Sequence, residues 1–380
     1  MKYLWPLAVL FLSDFPSAQE SENPLFSSFE EYKNKKENTP FQVKWILAGP
    51  VTNSARVEAL QGDPNNPGTM YVAFGSGNLW KTTNNGLDWK PIFENQPTLG
   101  IGDIAIAPSN SDILYLGTGE SLRKNRNFTM PGTGIYRSDD GGETWVHLGL
   151  EDTWHIGEIA VHPLNPDIVF VAAMGKFWSE STSKGIYRTT NGGKEWERVL
   201  YVNENTRAND VVIAHSNPKM IYASMWENNN DTNIAESVYG PNSGIYCSSD
   251  GGSSWKRSKN GLPDKPKIGR IGLAVSYQNA QKVYALIDNR NEIEGNSAEV
   301  YQSMNGGVTW KRSHDDTLHI FPGNNIGWYF ADIYVNPNND EEIYSLGVRM
   351  AHSIDGGQTF STVGGNIQHL QPSPAQTLHL

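Results

Sequence analysis

The octapeptide Ser138-Asp139-Asp140-Gly141-Gly142-Glu143-Thr144-Trp145 recurs along this chain, at Thr189 to Trp196, Ser248 to Trp255, Ser303 to Trp310 and Ser353 to Phe360, with a looser copy at Thr82 to Trp89. The closing aromatic residues lie 56, 51, 59, 55 and 50 residues apart. A near-constant period of this size marks an array of small sheets, each too small to bury its faces alone.

Each copy encodes a turn. An Asn or Asp (Asn84, Asp140, Asn191, Asp250, Asn305, Asp355) can accept backbone N–H groups just ahead of it, and a Gly two residues on permits positive φ. The closing Trp or Phe pins the turn to its sheet by burying a large ring. Three of the six are Asn, which cannot serve as a general acid or base. The set is therefore read as structural, with no metal or cofactor assigned to it.

Between turns the pattern is period-two alternation, which is that of half-buried strands. A first apolar strand opens each repeat: Ala55 to Leu60, Ile101 to Ala107, Ile156 to His162, Ala208 to Ala214, Ile268 to Val275 and Phe330 to Val335. A short Pro/Asn-type turn and a second strand follow, a third strand enters the octapeptide, and a fourth leaves it. Four antiparallel strands in ~50 residues, six times over, predict an all-β fold, a β-propeller with one blade per repeat.

In such a meander the first and third turns share one face. Here both are short and uniform. The second turns (Gly119 to Thr133, Gly175 to Lys184, Trp226 to Ser243, Asp288 to Ala298) are long and individual, and they share the other face. Varied loops on a rigid scaffold are where function concentrates, so the site is expected there.

Composition narrows the partners. With 30 basic against 41 acidic residues the net charge is -11, which argues against a duplex nucleic-acid ligand. An apolar run from Leu4 to Leu12 after Lys2, followed by Pro16-Ser17-Ala18, reads as an export signal over residues 1–18 and is too short to span a bilayer. A polar leader (19–40), the propeller (41–365) and a tail (366–380) would follow, in a secreted or periplasmic protein with no membrane span. The single Cys247 sits where sister repeats carry Arg137, Arg188 and Gln302, and reads as a drifted repeat position rather than a nucleophile.

The Ser-x-Asp-x-Gly-x-Thr-Trp pattern resembles the Asp-box, or BNR, repeat. Stretches such as Ser54-Ala55-Arg56-Val57, Tyr115-Leu116-Gly117-Thr118-Gly119-Glu120 and Asp152-Thr153-Trp154-His155-Ile156-Gly157 resemble the exported BNR-repeat glycosyl hydrolase-like proteins. Those are related to the sortilin N-terminal domain and to oligoxyloglucan-cleaving propellers. The resemblance implies either a recognition module for glycan or polypeptide, or a glycoside hydrolase with paired carboxylates. It also implies an acid after the second strand of the first blade, where this chain has Val72 to Asn78 without one. A seven-bladed ring cut short is the favoured architecture, with closure at six blades by a strand from Gln42 to Leu47 as the alternative.

Hydrolysis would need two carboxylates converging on the loop face. The candidates are Glu120 at the end of a second strand, with Glu227 and Asp288 at matching places in later blades, and Asp210 as a fourth. Ligand contacts are expected from Trp178 and Trp226, whose rings could stack on a sugar or anchor a peptide, and from Arg123 and Arg126, which could pair an anionic group.

Overall fold

The computed structural model describes residues 23–39, 56–121, 129–177, 179–228, 238–264, 266–291, 298–314, 327–329, 331–347 and 349–363. The strands form six sheets, each of four antiparallel strands in chain order. The fold is a six-bladed propeller. The innermost strands are Val57–Gly62, Ile101–Ile106, Ile156–Val161, Thr206–Ile213, Ile268–Val275 and Asp332–Asn336, for blades 1 to 6 in turn. Every blade supplies all four of its strands from one continuous repeat, so none borrows an inner strand from elsewhere. The proposed clasp, Gln42 to Leu47, lies outside the described residues.

The six octapeptides close in the same way. The side-chain oxygen of Thr82, Ser138, Thr189, Ser248, Ser303 and Ser353 accepts the N–H of the second glycine, at 2.8 to 3.0 Å. The Asn or Asp two residues after it accepts an N–H four residues further on, at 2.8 to 3.1 Å. These bonds hold the exposed carboxyl groups of Asp250 and Asp355 down at about 2, led by the hydroxyls of Ser254 and Thr359. Gly142 shows why glycine is needed: φ is +93°, and a Cβ would sit 2.6 Å from Ile92 Cδ1 of the preceding blade.

The two faces separate as the hairpin argument requires. In blades 2 to 6 a glycine of the octapeptide donates to the first turn of its own blade, as Gly141 does to Asp112 and Gly192 to Asp167, both at 2.9 Å, and in blade 1 Asn85 donates to Gly68 at 3.0 Å. The long second turns bond instead to the links between blades: Gly119 donates to Gly100, and Gly132 to Trp154, both at 2.8 Å.

Five apolar cores fill the junctions from blade 1 on blade 2 to blade 5 on blade 6. Trp145 and Trp196 cross them, each donating Nε1 to a carbonyl of the preceding blade. Among the described residues no such core joins blade 6 to blade 1. In blade 1 the second strand, Met70–Phe74, leaves Met70, Val72 and Phe74 half-buried, whereas Leu114–Thr118 and Val169–Ala173 are buried throughout.

The polar leader is a helix, Pro24–Glu37, capped by Asn23 and ending on Lys35 and Lys36. It buries none of its own residues. Its cap attaches it: Asn23 Nδ2 donates to Gly132 O at 3.1 Å.

Candidate functional site

On the loop face Arg56 of blade 1 pairs with Glu120 of blade 2. Glu120 stands two residues past the second strand of its blade and is fully buried; Arg56 Nε donates to its Oε1 at 2.7 Å, and Nη2 bonds the same oxygen. Glu58, one strand residue along from the start of blade 1, lies beside them. A methyl placed on Gly75 would come 2.6 Å from Glu58 Oε1 and 3.1 Å from Glu120 Cδ, so that glycine is the only residue that lets the two carboxyls approach. Ser121 Oγ donates to Glu58 Oε2 at 3.1 Å, and Glu58 Oε1 has no partner. Burial first, then the neighbouring Glu120, pushes the Glu58 carboxyl well above the usual range, with Ser121 and Arg56 opposing.

A stacked column continues from this pair into blades 3 and 4. The Glu120 carbonyl accepts His155 Nδ1 at 2.9 Å, so that nitrogen carries the proton. The His155 ring lies flat on Phe177 at 4.0 Å, and the Arg207 guanidinium lies over the same ring at 4.7 Å. Two planar groups this close cannot share a face, so Phe177 is sandwiched. Burial drives His155 down to about 3 and Arg207 down to about 9. Arg207 gives Nη1 to the carbonyls of Met174 and Lys176, while its Nε and Nη2 have no partner.

The other expected acids are engaged separately. Glu227 accepts Asn242 N at 2.7 Å and Asn242 Nδ2 at 3.1 Å. Asp288 is fully buried between Gly269 and Gly327, where added methyls would come within 2.7 and 2.4 Å of its carboxyl. Asp210 is buried in an inner strand, away from the loops, and accepts Leu273 N at 2.8 Å. The structure therefore joins Glu120 to Arg56 and Glu58, a partner that the sequence reading missed.

Trp226 requires a correction: it is buried at 3% exposure and donates Nε1 to Val238 O at 2.8 Å. Its ring packs with Met174, Phe177, Val238 and Tyr239, with Trp328 against them, in a cluster that ties the long loops together. No face remains for a ligand to stack on. Arg123, Arg126 and Trp178 lie outside the described residues. Cys247 is near Ser258, and burial pushes its thiol up to about 11, which disfavours a thiolate.

Comparison with known proteins shows what this chain is similar to. A family model described as sortilin, neurotensin receptor 3 (Sortilin-Vps10), matches residues 132–265. The xyloglucanase Xgh74A of Acetivibrio thermocellus is 24% identical over 363 residues, covering 77% of this chain and 39% of its own length. The crystal structure of an ancestral GH74 enzyme superposes with a TM-score of 0.58 at 21% identity, covering 84% of this chain and 39% of that one. YCF48 bound to D1 peptide superposes with a TM-score of 0.50 at 14% identity, covering 84% and 86%. This chain spans well under half the length of the xyloglucanase it matches. It is a β-propeller of the BNR, sortilin-like type, related to the propellers of xyloglucanases.

Proposed function

We propose that this protein is an exported recognition propeller that binds an extended ligand, glycan or polypeptide, across its long-loop face. One observation carries the reading: each of the three loop-face acids is engaged within the protein. Glu120 is paired with Arg56, Glu227 is bonded to Asn242, and Asp288 is enclosed between glycines. A glycosidase needs two carboxyls aimed at open space on either side of a sugar, whereas a binder needs only a rigid mouth. The relatives supply both ligand classes, since they include xyloglucanases and a propeller solved with a bound peptide. The apolar run from Leu4 to Leu12 supports export.

A second reading rests on the Glu58 and Glu120 pair. Two adjacent carboxyls with separated environments are the arrangement from which acid and base roles are made, and hydrolysis of a xyloglucan-type chain would follow. Incubation with an oligosaccharide panel decides between the two. Binding without product supports recognition; turnover that disappears in both Glu58→Gln and Glu120→Gln supports hydrolysis.

A further inference from the structure

A groove of 510 Å³ opens on the loop face, at the outer edge of blade 3. That volume falls within the about 300 to 1,000 Å³ of small-ligand sites. One wall is the short 3-10 turn Glu151–Thr153, in the link from blade 2 to blade 3. The other wall is blade 3 itself: Thr182 and Ser183 from its second turn, Tyr187 from its third strand and Arg198 from its fourth.

The link wall is held in a disfavoured backbone. Leu150 (φ 61°, ψ 28°) and Trp154 (φ 57°, ψ −36°) bracket the turn, and a Cβ makes positive φ unfavourable at both. Four hydrogen bonds keep it there. Thr153 Oγ1 donates to Leu150 O and Ser183 Oγ to Asp152 O, both at 2.6 Å; Gly132 N donates to Trp154 O at 2.8 Å, and Asn23 Nδ2 to Glu151 O at 3.4 Å. The turn thus commits its carbonyls to the protein and keeps its acids out of it. Among the described residues neither the Glu151 nor the Asp152 carboxylate takes a hydrogen bond or an ion pair, and Asp152 is exposed. Across the groove Arg198 Nη1 donates to Thr182 O, and the guanidinium lies over the Tyr201 ring at 4.3 Å. These contacts fix its plane and use fewer than its five N–H donors.

This distribution selects a class of ligand. Open acceptors face one side and spare donors the other, so the ligand must carry both, as a polyol does. An anionic sugar would meet Glu151 and Asp152 as like charges. A peptide anchored by its side chains needs apolar pockets, and Leu150 is the one aliphatic side chain among the described residues of the groove. We propose that the groove seats a pyranose unit of a neutral glycan, away from the Arg56 and Glu120 pair. Glu151 and Asp152 accept its hydroxyls, and Arg198 donates to its oxygens, with the hydroxyls of Ser183 and Tyr187 beside them. The assignment rests on the recognition reading and narrows its ligand to an uncharged sugar chain.

Calorimetric titration of the full chain with cellohexaose, xylohexaose and mannohexaose tests this, with trigalacturonate as the anionic comparison. Saturable binding of a neutral member is expected, about tenfold weaker in Asp152→Ala and lost in Ser183→Trp, which fills the groove. Asp152 is exposed and its carboxylate is unbonded, so its truncation should melt as wild type does and decides the matter alone if Ser183→Trp does not fold. Glu143→Ala, in an octapeptide on the opposite face, should bind like wild type. The groove assignment is overturned if no neutral member binds, if trigalacturonate binds more tightly, or if Asp152→Ala binds as tightly as wild type. That last result, with binding retained, leaves the recognition reading standing. Product formation that survives in Ser183→Trp overturns both.

Discussion

Asp210 Oδ2 accepts the backbone N–H of Leu273 at 2.8 Å, from the inner strand of blade 4 to that of blade 5. Asp103 does the same for Ile159 at 2.7 Å, from blade 2 to blade 3. These carboxyls act as stitches between neighbouring sheets, and burial opposes their charge.

Asp210→Asn is expected to stabilise the protein in alkali and leave it unchanged in acid. Burial, with Asp332 adding to it and the Leu273 N–H opposing, pushes Asp210 up to about 7. Its folded value lies above the unfolded one, so its contribution is fully present below about 3.9 and is lost as pH rises through about 7. The amide keeps an acceptor for Leu273 and cannot ionise. Thermal melts should show a gain of about 2 kcal/mol at pH 8 and none at pH 4; a loss at pH 8 would contradict the account.

His155 is expected to remain neutral well below the ordinary range. Burial holds it at about 3, below its unfolded value near 6.5. Its contribution to stability is thus present above about 6.5 and lost as pH falls toward 3. Nitrogen chemical shifts of the imidazole at pH 5 should report a neutral ring protonated on Nδ1, the atom that donates to Glu120 O.

Arg56→Met should destabilise the fold by about 3 kcal/mol, because it leaves the fully buried Glu120 without its guanidinium. Adding Glu120→Gln should return much of that loss. A double-mutant cycle in urea measures the coupling, and strictly additive effects would mean that the pair contributes nothing.

Within the octapeptide, the hydroxyl should matter more than the acid. Ser138 is buried, and its oxygen accepts Gly142 N–H at 2.8 Å, so Ser138→Ala should cost about 1 to 2 kcal/mol in urea denaturation. Asp140→Asn should cost no more than about 0.5 kcal/mol, since Asn84, Asn191 and Asn305 make the corresponding bonds in their own copies.

The repeat was readable because turn chemistry is local: Ser138, Asp140 and Gly142 bond within five residues of one another, and period-two alternation marks the strands between. The inner-strand acids are also visible, as carboxylates interrupting Ile-Gly-Asp-Ile, Ile-Gly-Glu-Ile and Asn-Asp-Val at one register. Only Asp210 was singled out, and as a loop-face acid. Glu58 gave no such signal, because its partner Glu120 is 62 residues away and meets it only across Gly75. Trp226 reads as a ligand platform because it stands at the start of a long loop, yet its ring packs inward with Phe177 and Val238.

Sequence alone determined the six repeats, their strand order, the division into a uniform and a varied face, and the acidic balance, because each follows from hydrogen bonds and periodicities that span a few residues. Tertiary structure decided which charges meet. Whether a carboxyl faces a guanidinium, another carboxyl or a backbone N–H depends on packing between sheets some fifty residues apart, and low-dielectric burial then sets its protonation. For that reason Arg56, Glu58 and Glu120 are one site, and Glu227 and Asp288 are each held by partners of their own.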